Sequence, residues 1–179
     1  MTTTHRPHDP HRRLLLLAGG TAVAGALALG LRRFLAHPAL ASEGEHFEVT
    51  HTDEEWKALL SADAYAVLRH EATERAFSSP LDHEHRKGTF HCAGCDNALF
   101  SSSTKFDSGT GWPSFYRPLP KGVGEARDLT LGMVRTEVHC KRCGGHLGHV
   151  FDDGPKPTGL RYCMNGLALT FTPGAAPPA

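Results

Sequence analysis

Met133-Val134-Arg135-Thr136-Glu137-Val138-His139-Cys140-Lys141-Arg142-Cys143 combines a strand pattern with a ligand pattern in one short run. From Met133 to His139 the side chains alternate, with Val134, Thr136 and Val138 on one face, which is the period of a β-strand. The run ends in a Cys-x-x-Cys knuckle. A second knuckle, Cys92-Ala93-Gly94-Cys95, lies upstream, and its small central residues let the backbone turn towards an ion. From Gly88 onward the chain continues in short stretches divided by Gly, Pro, Asp and Ser. With 19 Gly and 12 Pro in 179 residues, this favours many turns and short strands over a helical bundle.

Cys92, Cys95, Cys140 and Cys143 are the set that a closed tetrahedral zinc site takes. Four Cys ligands leave no open position for water, so one zinc ion here is expected to be structural, clamping two loops together. The 44 residues between Cys95 and Cys140 exceed a simple zinc ribbon, so an intervening fold must bring the knuckles together. Two disulfides, a redox-active Cys-x-x-Cys and a rubredoxin-like iron site are the alternatives.

This assignment leaves Cys163, in Arg161-Tyr162-Cys163-Met164-Asn165, as the only thiol free for chemistry. Leu160 to Phe171 also alternates. Read as one strand, it puts Arg161, Cys163 and Asn165 on one face and Leu160, Tyr162 and Met164 on the other. A lone Cys is otherwise an inert small hydrophobe, but a cation two residues away favours a thiolate. Just after the second knuckle, Gly144 to Pro155 places His146, His149, Asp152 and Asp153 in a Gly-rich loop, where a proton donor could reach a leaving oxygen. Ordinary loop polarity also accounts for two His in a chain that has thirteen.

Ahead of the strands, Thr52-Asp53-Glu54-Glu55 reads as a capping box opening a helix. Trp56, Leu59 and Leu60 follow at helical spacing, and Tyr65, Val67 and Leu68 mark a second short helix. Ser78-Ser79-Pro80 is expected to end this helical preface.

Residues 1–41 read as an export signal or a membrane anchor. Arg12-Arg13 precedes an uncharged, mostly apolar stretch from Leu14 to Leu31, and Ala39-Leu40-Ala41 is an A-x-A cleavage signal. Twin Arg before a Gly/Ala-rich segment points to twin-arginine export, with the domain working in the periplasm. Left uncleaved, residues 14–31 are long enough to span a bilayer. Without residues 1–41 the chain holds 14 basic and 18 acidic residues, a net charge of −4. That balance lacks the basic footprint of a nucleic-acid binder, so the expected partner is a small molecule or a peptide.

Three segments together resemble the B-type peptide-methionine (R)-S-oxide reductases. They are Lys105-Phe106-Asp107-Ser108-Gly109-Thr110-Gly111-Trp112-Pro113-Ser114-Phe115, His146-Leu147-Gly148-His149-Val150-Phe151-Asp152-Asp153-Gly154-Pro155, and Arg161-Tyr162-Cys163-Met164-Asn165. The similarity runs from about Phe47 to Phe171 and includes both knuckles. It implies a mainly β, β-rich α+β fold: two antiparallel sheets with short N-terminal helices and one four-cysteine zinc site. Residues 42–172 would form the catalytic domain and residues 173–179 a disordered tail.

The resemblance also implies the reaction. Cys163 attacks the sulfur of a methionine-R-sulfoxide, oxygen leaves as water, and Cys163 becomes a sulfenic acid. Trp112 and Phe151 would line the substrate, Trp112 against its methyl group. His146, His149 and Asp153 would supply polar contacts and protons at oxygen, while Arg161 and Asn165 tune and orient the nucleophile. The substrate would be oxidised methionine in proteins or peptides.

Two departures from the family pattern matter. Many members carry a resolving Cys where this chain has Thr110, so a thioredoxin-like protein or a small thiol is expected to reduce the sulfenic acid. After Asn165, Gly166-Leu167-Ala168 replaces the usual small polar residues, which puts the hydrogen bonding behind Cys163 in question. Rival readings are a zinc-stabilised binding module without catalysis and a Cys-His hydrolase in which His146 or His149 activates Cys163.

Overall fold

Thr52 and Glu55 do form the capping box: each side chain accepts the other residue's backbone N–H, at 3.2 and 2.8 Å. A cap of this kind contributes about 1 kcal/mol to a short helix. The computed structural model describes residues 46–179, and the predicted signal or anchor, residues 1–41, lies outside the described residues. Helix α1 (Asp53–Leu59) buries Trp56 but leaves Leu59 60% exposed, and it is Leu60, one residue on, that packs against the core. Helix α2 (Ala62–His70), capped by Ser61, buries Ala64, Tyr65, Val67 and Leu68. It stops at Glu71 in a left-handed conformation, so the helical preface ends well before Ser78-Ser79-Pro80. Ser79 instead caps a separate 3-10 turn, Pro80–His83.

Nine strands follow: β1 (Gly88–Cys92), β2 (Ala98–Ser101), β3 (Lys105–Phe106), β4 (Ser114–Phe115), β5 (Val123–Asp128), β6 (Arg135–Cys140), β7 (His146–Phe151), β8 (Arg161–Met164) and β9 (Leu169–Pro173). They make a three-stranded sheet in the order β2-β1-β9 and a six-stranded sheet in the order β3-β4-β8-β7-β6-β5. Every pairing is antiparallel. Mainly β with two antiparallel sheets and two N-terminal helices is therefore the observed class.

The sheets meet through aromatic rings. Phe100 of β2 stacks on Phe115 of β4 with centroids 4.3 Å apart, and Phe90 of β1 meets the same Phe115 edge-on at 4.9 Å. Leu99, Val138, Leu147, Tyr162 and Met164 surround them, and Trp56, Val67 and Leu68 close the core from the helical side. Each such side chain contributes about 1.5–3 kcal/mol when fully buried.

Two expected strands are revised. β6 begins at Arg135, and Val134 lies outside it, 70% exposed; on the predicted apolar face only Val138 is fully buried. The core covers just the knuckle end of this strand. Leu160–Phe171 is not one strand but β8, a 3-10 turn at Gly166–Ala168, and β9 in the other sheet. The buried Glu74 carboxylate accepts the N–H groups of Gly166 at 2.5 Å and Leu167 at 3.0 Å, bonds that a continuing strand would have given to a neighbour. β9 runs through Pro173, one residue past the expected domain boundary. Beyond it Gly174 N–H donates to Lys87 and Arg117 donates to the Ala179 carbonyl. Among the described residues no helix is long and apolar enough to cross a membrane.

Candidate functional site

The two knuckles are built alike. In each, the residue after the second Cys is left-handed, Asp96 in one and Gly144 in the other. Its N–H returns to the first Cys carbonyl at 2.9 Å, from Asp96 to Cys92 and from Gly144 to Cys140. The first Cys then donates its own N–H one residue further along, Cys92 to Asn97 and Cys140 to Gly145. These turns point two thiols each at a common centre. The four sulfurs lie within 4.8 Å of one another, with Cys92–Cys143 at 3.7 Å and Cys95–Cys140 at 3.5 Å. Metal–sulfur bonds of about 2.3 Å in a tetrahedron require sulfur–sulfur edges of about 3.8 Å, whereas a disulfide needs about 2.05 Å. The cluster fits one metal ion, and all five cysteines are free thiols. β1 and β6 carry the first Cys of each pair, so the sheets, not the local sequence, bridge the gap between the knuckles.

Cys163 sits at the centre of β8, opposite Ser114 of β4 on one side and His149 of β7 on the other. The approach of β7 is close: a Cβ at Gly148 would lie 2.1 Å from the Cys163 carbonyl oxygen. The thiol opens into a cavity of about 170 Å³ lined by Thr73, Trp112, Arg135, Gly148, His149, Phe151, Cys163 and Asn165. Of the expected site residues, Trp112, His149, Phe151, Cys163 and Asn165 share this cavity. The space suits one side chain and falls below the 300 Å³ or so of a typical drug-sized pocket.

His146, Asp153 and Arg161 stand differently. His146 is 3% exposed, with Nδ1 on Glu137 at 2.8 Å, Nε2 buried without a protein partner, and its ring edge-on to His149 at 5.4 Å. The Asp153 side chain is 60% exposed and lies outside the cavity lining. It grips Arg161 through two 2.8 Å bonds, and the Arg161 guanidinium holds its carboxyl below the usual range. Arg161 in turn covers the Phe151 ring at 4.4 Å.

Burial pushes the Cys163 thiol up, and the opposing pulls of Thr110 and Arg161 do not offset it. Thr110 Oγ1 is 3.9 Å from Sγ, and Ser108 ties Thr110 to Ser114 with hydroxyl contacts of 2.8 Å each.

Asn165 is fixed on both ends. Its Nδ2 donates to Leu147 O at 3.2 Å, and its Oδ1 accepts the Glu74 N–H at 3.0 Å. Trp112 Nε1 donates to the Glu74 carbonyl at 3.2 Å. His149 Nε2 pairs with Asp128 Oδ2 at 2.8 Å, an oxygen shared with Arg135 at 2.6 Å. Sequence reasoning missed Thr73, Glu74, Asp128, Arg135 and Glu137. The alternation from Met133 to His139 did carry Arg135 and Glu137, on the face opposite Val134, Thr136 and Val138. Nothing local marked Glu74 or Asp128.

Residues 60–173 match the SelR domain. Over 127 residues the chain is 58% identical to a peptide methionine sulfoxide reductase MsrB of Bradyrhizobium diazoefficiens, covering 70% of this chain and 91% of the relative. Over another 127 it is 53% identical to one from Leptospira interrogans, covering 70% and 97%. A Thiobacillus denitrificans relative of the same description is 57% identical over 123 residues, covering 68% and 93%. One domain model thus spans more than half of the chain, and relatives matched almost end to end share more than half of the aligned residues: the chain belongs to the SelR domain family, that of the MsrB proteins.

Proposed function

We propose that this protein reduces methionine-R-sulfoxide in proteins or peptides, with Cys163 as nucleophile. The observation that carries the reading is the seat of Cys163: a thiol on a three-strand platform, opening into a side-chain-sized cavity with Trp112 and Phe151 on its wall and His149 across the ladder. A sulfoxide needs a soft nucleophile at sulfur, an acid at oxygen and an apolar surface for its methyl group, and the cavity offers all three.

The Cys163 sulfur bonds to the sulfoxide sulfur while the thiol proton passes to the sulfoxide oxygen; the hydroxyl group then transfers to the Cys163 sulfur as the substrate S–O bond and the transient S–S bond break. The products are the thioether and a Cys163 sulfenic acid, so the substrate sulfur is reduced and Cys163 is oxidised by the same two electrons. Two equivalents of external thiol, from a thioredoxin-like protein or a small thiol, return Cys163 to the thiol with release of one water. Thr110 offers no second sulfur beside Cys163, which favours an external reductant. Trp112 and Phe151 receive the methyl group, and Asn165 orients Cys163. His149 and His146 serve proton transfer, and Asp153 acts through Arg161.

The four-Cys cluster would hold one zinc ion, whose tetrahedral thiolate coordination clamps the knuckles and takes no part in the redox step. Residues 1–41 would export the domain to the periplasm, with cleavage after Ala41 or retention through residues 14–31; a mature protein starting at Ser42 is the expected result of N-terminal sequencing.

The test is a reductase assay on separate R and S epimers of a methionine-sulfoxide peptide with dithiothreitol, comparing wild type with Cys163→Ser. Turnover of the R epimer alone, lost in the variant, is expected. No turnover by folded, metal-loaded protein would overturn the reading, and acyl-enzyme formation with esters would point to a hydrolase.

A further inference from the structure

Asp128 lies at the end of β5, far from Cys163 in sequence, yet it is the only carboxylate bonded to an imidazole of the cavity wall among the described residues. Its side chain is 8% exposed and accepts from three elements: Thr130 N–H on Oδ1 at 2.7 Å, and Arg135 Nη2 and His149 Nε2 on Oδ2. Arg135 also donates to Thr130 Oγ1 at 3.1 Å, so the arginine and the turn after β5 hold the carboxylate in place. Three strands converge here. β5 brings Asp128, β6 brings Arg135, and β7 brings His149 opposite Cys163 of β8.

We propose that Asp128 is a positioning residue of the sulfoxide-reducing site: it fixes His149 with Nε2–H on the carboxylate and Nδ1 left for the cavity, and stabilises the imidazolium each time His149 carries a proton. The proposal rests on the reductase reading above. A neutral imidazole has one donor and one acceptor nitrogen, and the bond made by one decides which the other becomes. Asp128 is an obligate acceptor when ionised, and the Thr130 N–H leads the groups that hold its carboxyl far below the usual range. Nε2 must therefore donate, and Nδ1 is free to accept. In the step above, the Cys163 thiol proton moves to Nδ1, leaving a thiolate and an imidazolium, and the same proton then passes to the sulfoxide oxygen. Nothing else is consumed.

The charged and titratable groups facing His149 are Asp128 and Arg135, His146 with Glu137 behind it, and Cys163 across the ladder. Burial pushes the imidazole below its ordinary range against the upward pull of Asp128, which favours a neutral ring at rest. A merely structural Asp128 would anchor Arg135 and the turn after β5 without regard to the state of the ring.

The test combines ¹⁵N NMR of His149 in the full chain, assigned with His149→Gln, and the pH dependence of kcat for a methionine-R-sulfoxide peptide. Wild type should show the Nε2–H tautomer at neutral pH. Asp128→Asn, which keeps an acceptor but loses the charge, should lower the His149 titration. It should reduce kcat at neutral pH about tenfold or more with KM little changed, and move the acidic limb of the kcat profile by the same interval as the titration. An Nδ1–H tautomer in wild type would overturn the proposal, and this holds even if the variant fails to fold. So would an unmoved titration and pH profile with losses confined to KM or thermal stability. A wild type with the expected tautomer but no sulfoxide turnover overturns the reductase reading and, with it, the role given to Asp128, while leaving the pair itself intact.

Discussion

Glu74 N–H donates to Asn165 Oδ1 at 3.0 Å across 91 positions of sequence, and the carbonyl of the same Glu74 receives the Trp112 indole N–H at 3.2 Å. One residue thereby sets the amide beside Cys163 and the ring on the cavity wall. Its carboxylate meanwhile caps the turn that carries the chain from one sheet to the other.

Glu74→Gln keeps the volume but presents an NH₂ where one of two buried N–H groups needs an acceptor. A loss of about 1–3 kcal/mol of stability is expected. Lower reductase activity should accompany it at temperatures where the variant stays folded. Thermal denaturation alongside the sulfoxide assay measures both, and an unchanged melting temperature would remove Glu74 from its assigned place.

Thr110→Val replaces a hydroxyl by a methyl of similar volume 3.9 Å from the Cys163 sulfur. With one of the groups that pull the thiol down removed, its pKa should rise further. Alkylation by iodoacetamide at neutral pH should slow severalfold, read by mass spectrometry of the Cys163 peptide.

Removing the metal should unfold the body instead of merely slowing it. Structural zinc supplies on the order of 10 kcal/mol of binding free energy, comparable to a small domain's whole margin. Cys92→Ser or chelation in mild denaturant is expected to give loss of the cooperative melt, and elemental analysis of the native protein should find one ion per chain. A cooperative melt unchanged by chelation would refute the clamp.

Tyr162 is buried, donates to Glu125 at 2.9 Å, and has its phenol pushed up to about 12 by burial first and Glu125 second. An unfolded tyrosine titrates near 10. Because the folded value is the higher one, the contribution to stability is complete below about pH 10 and is lost as the pH rises through about 12. Urea midpoints should fall across that window in wild type and fall less in Tyr162→Phe.

Local sequence determined whatever depends on near neighbours. The two knuckles, the capping box at Thr52, and the half-buried and buried alternation around Tyr162 and Cys163 were all legible, because turn geometry and strand parity are set within a few residues. Tertiary structure decided the rest. Whether Leu160–Phe171 stays one strand depends on a carboxylate at Glu74, and the protonation of Cys163 depends on how deeply its neighbours bury it. Asp128 reaches His149 only because β5, β6 and β7 lie side by side in the sheet. Strand pairing brings residues within hydrogen-bonding distance with no trace in local spacing, and burial shifts proton affinities by an amount only the packed neighbours set.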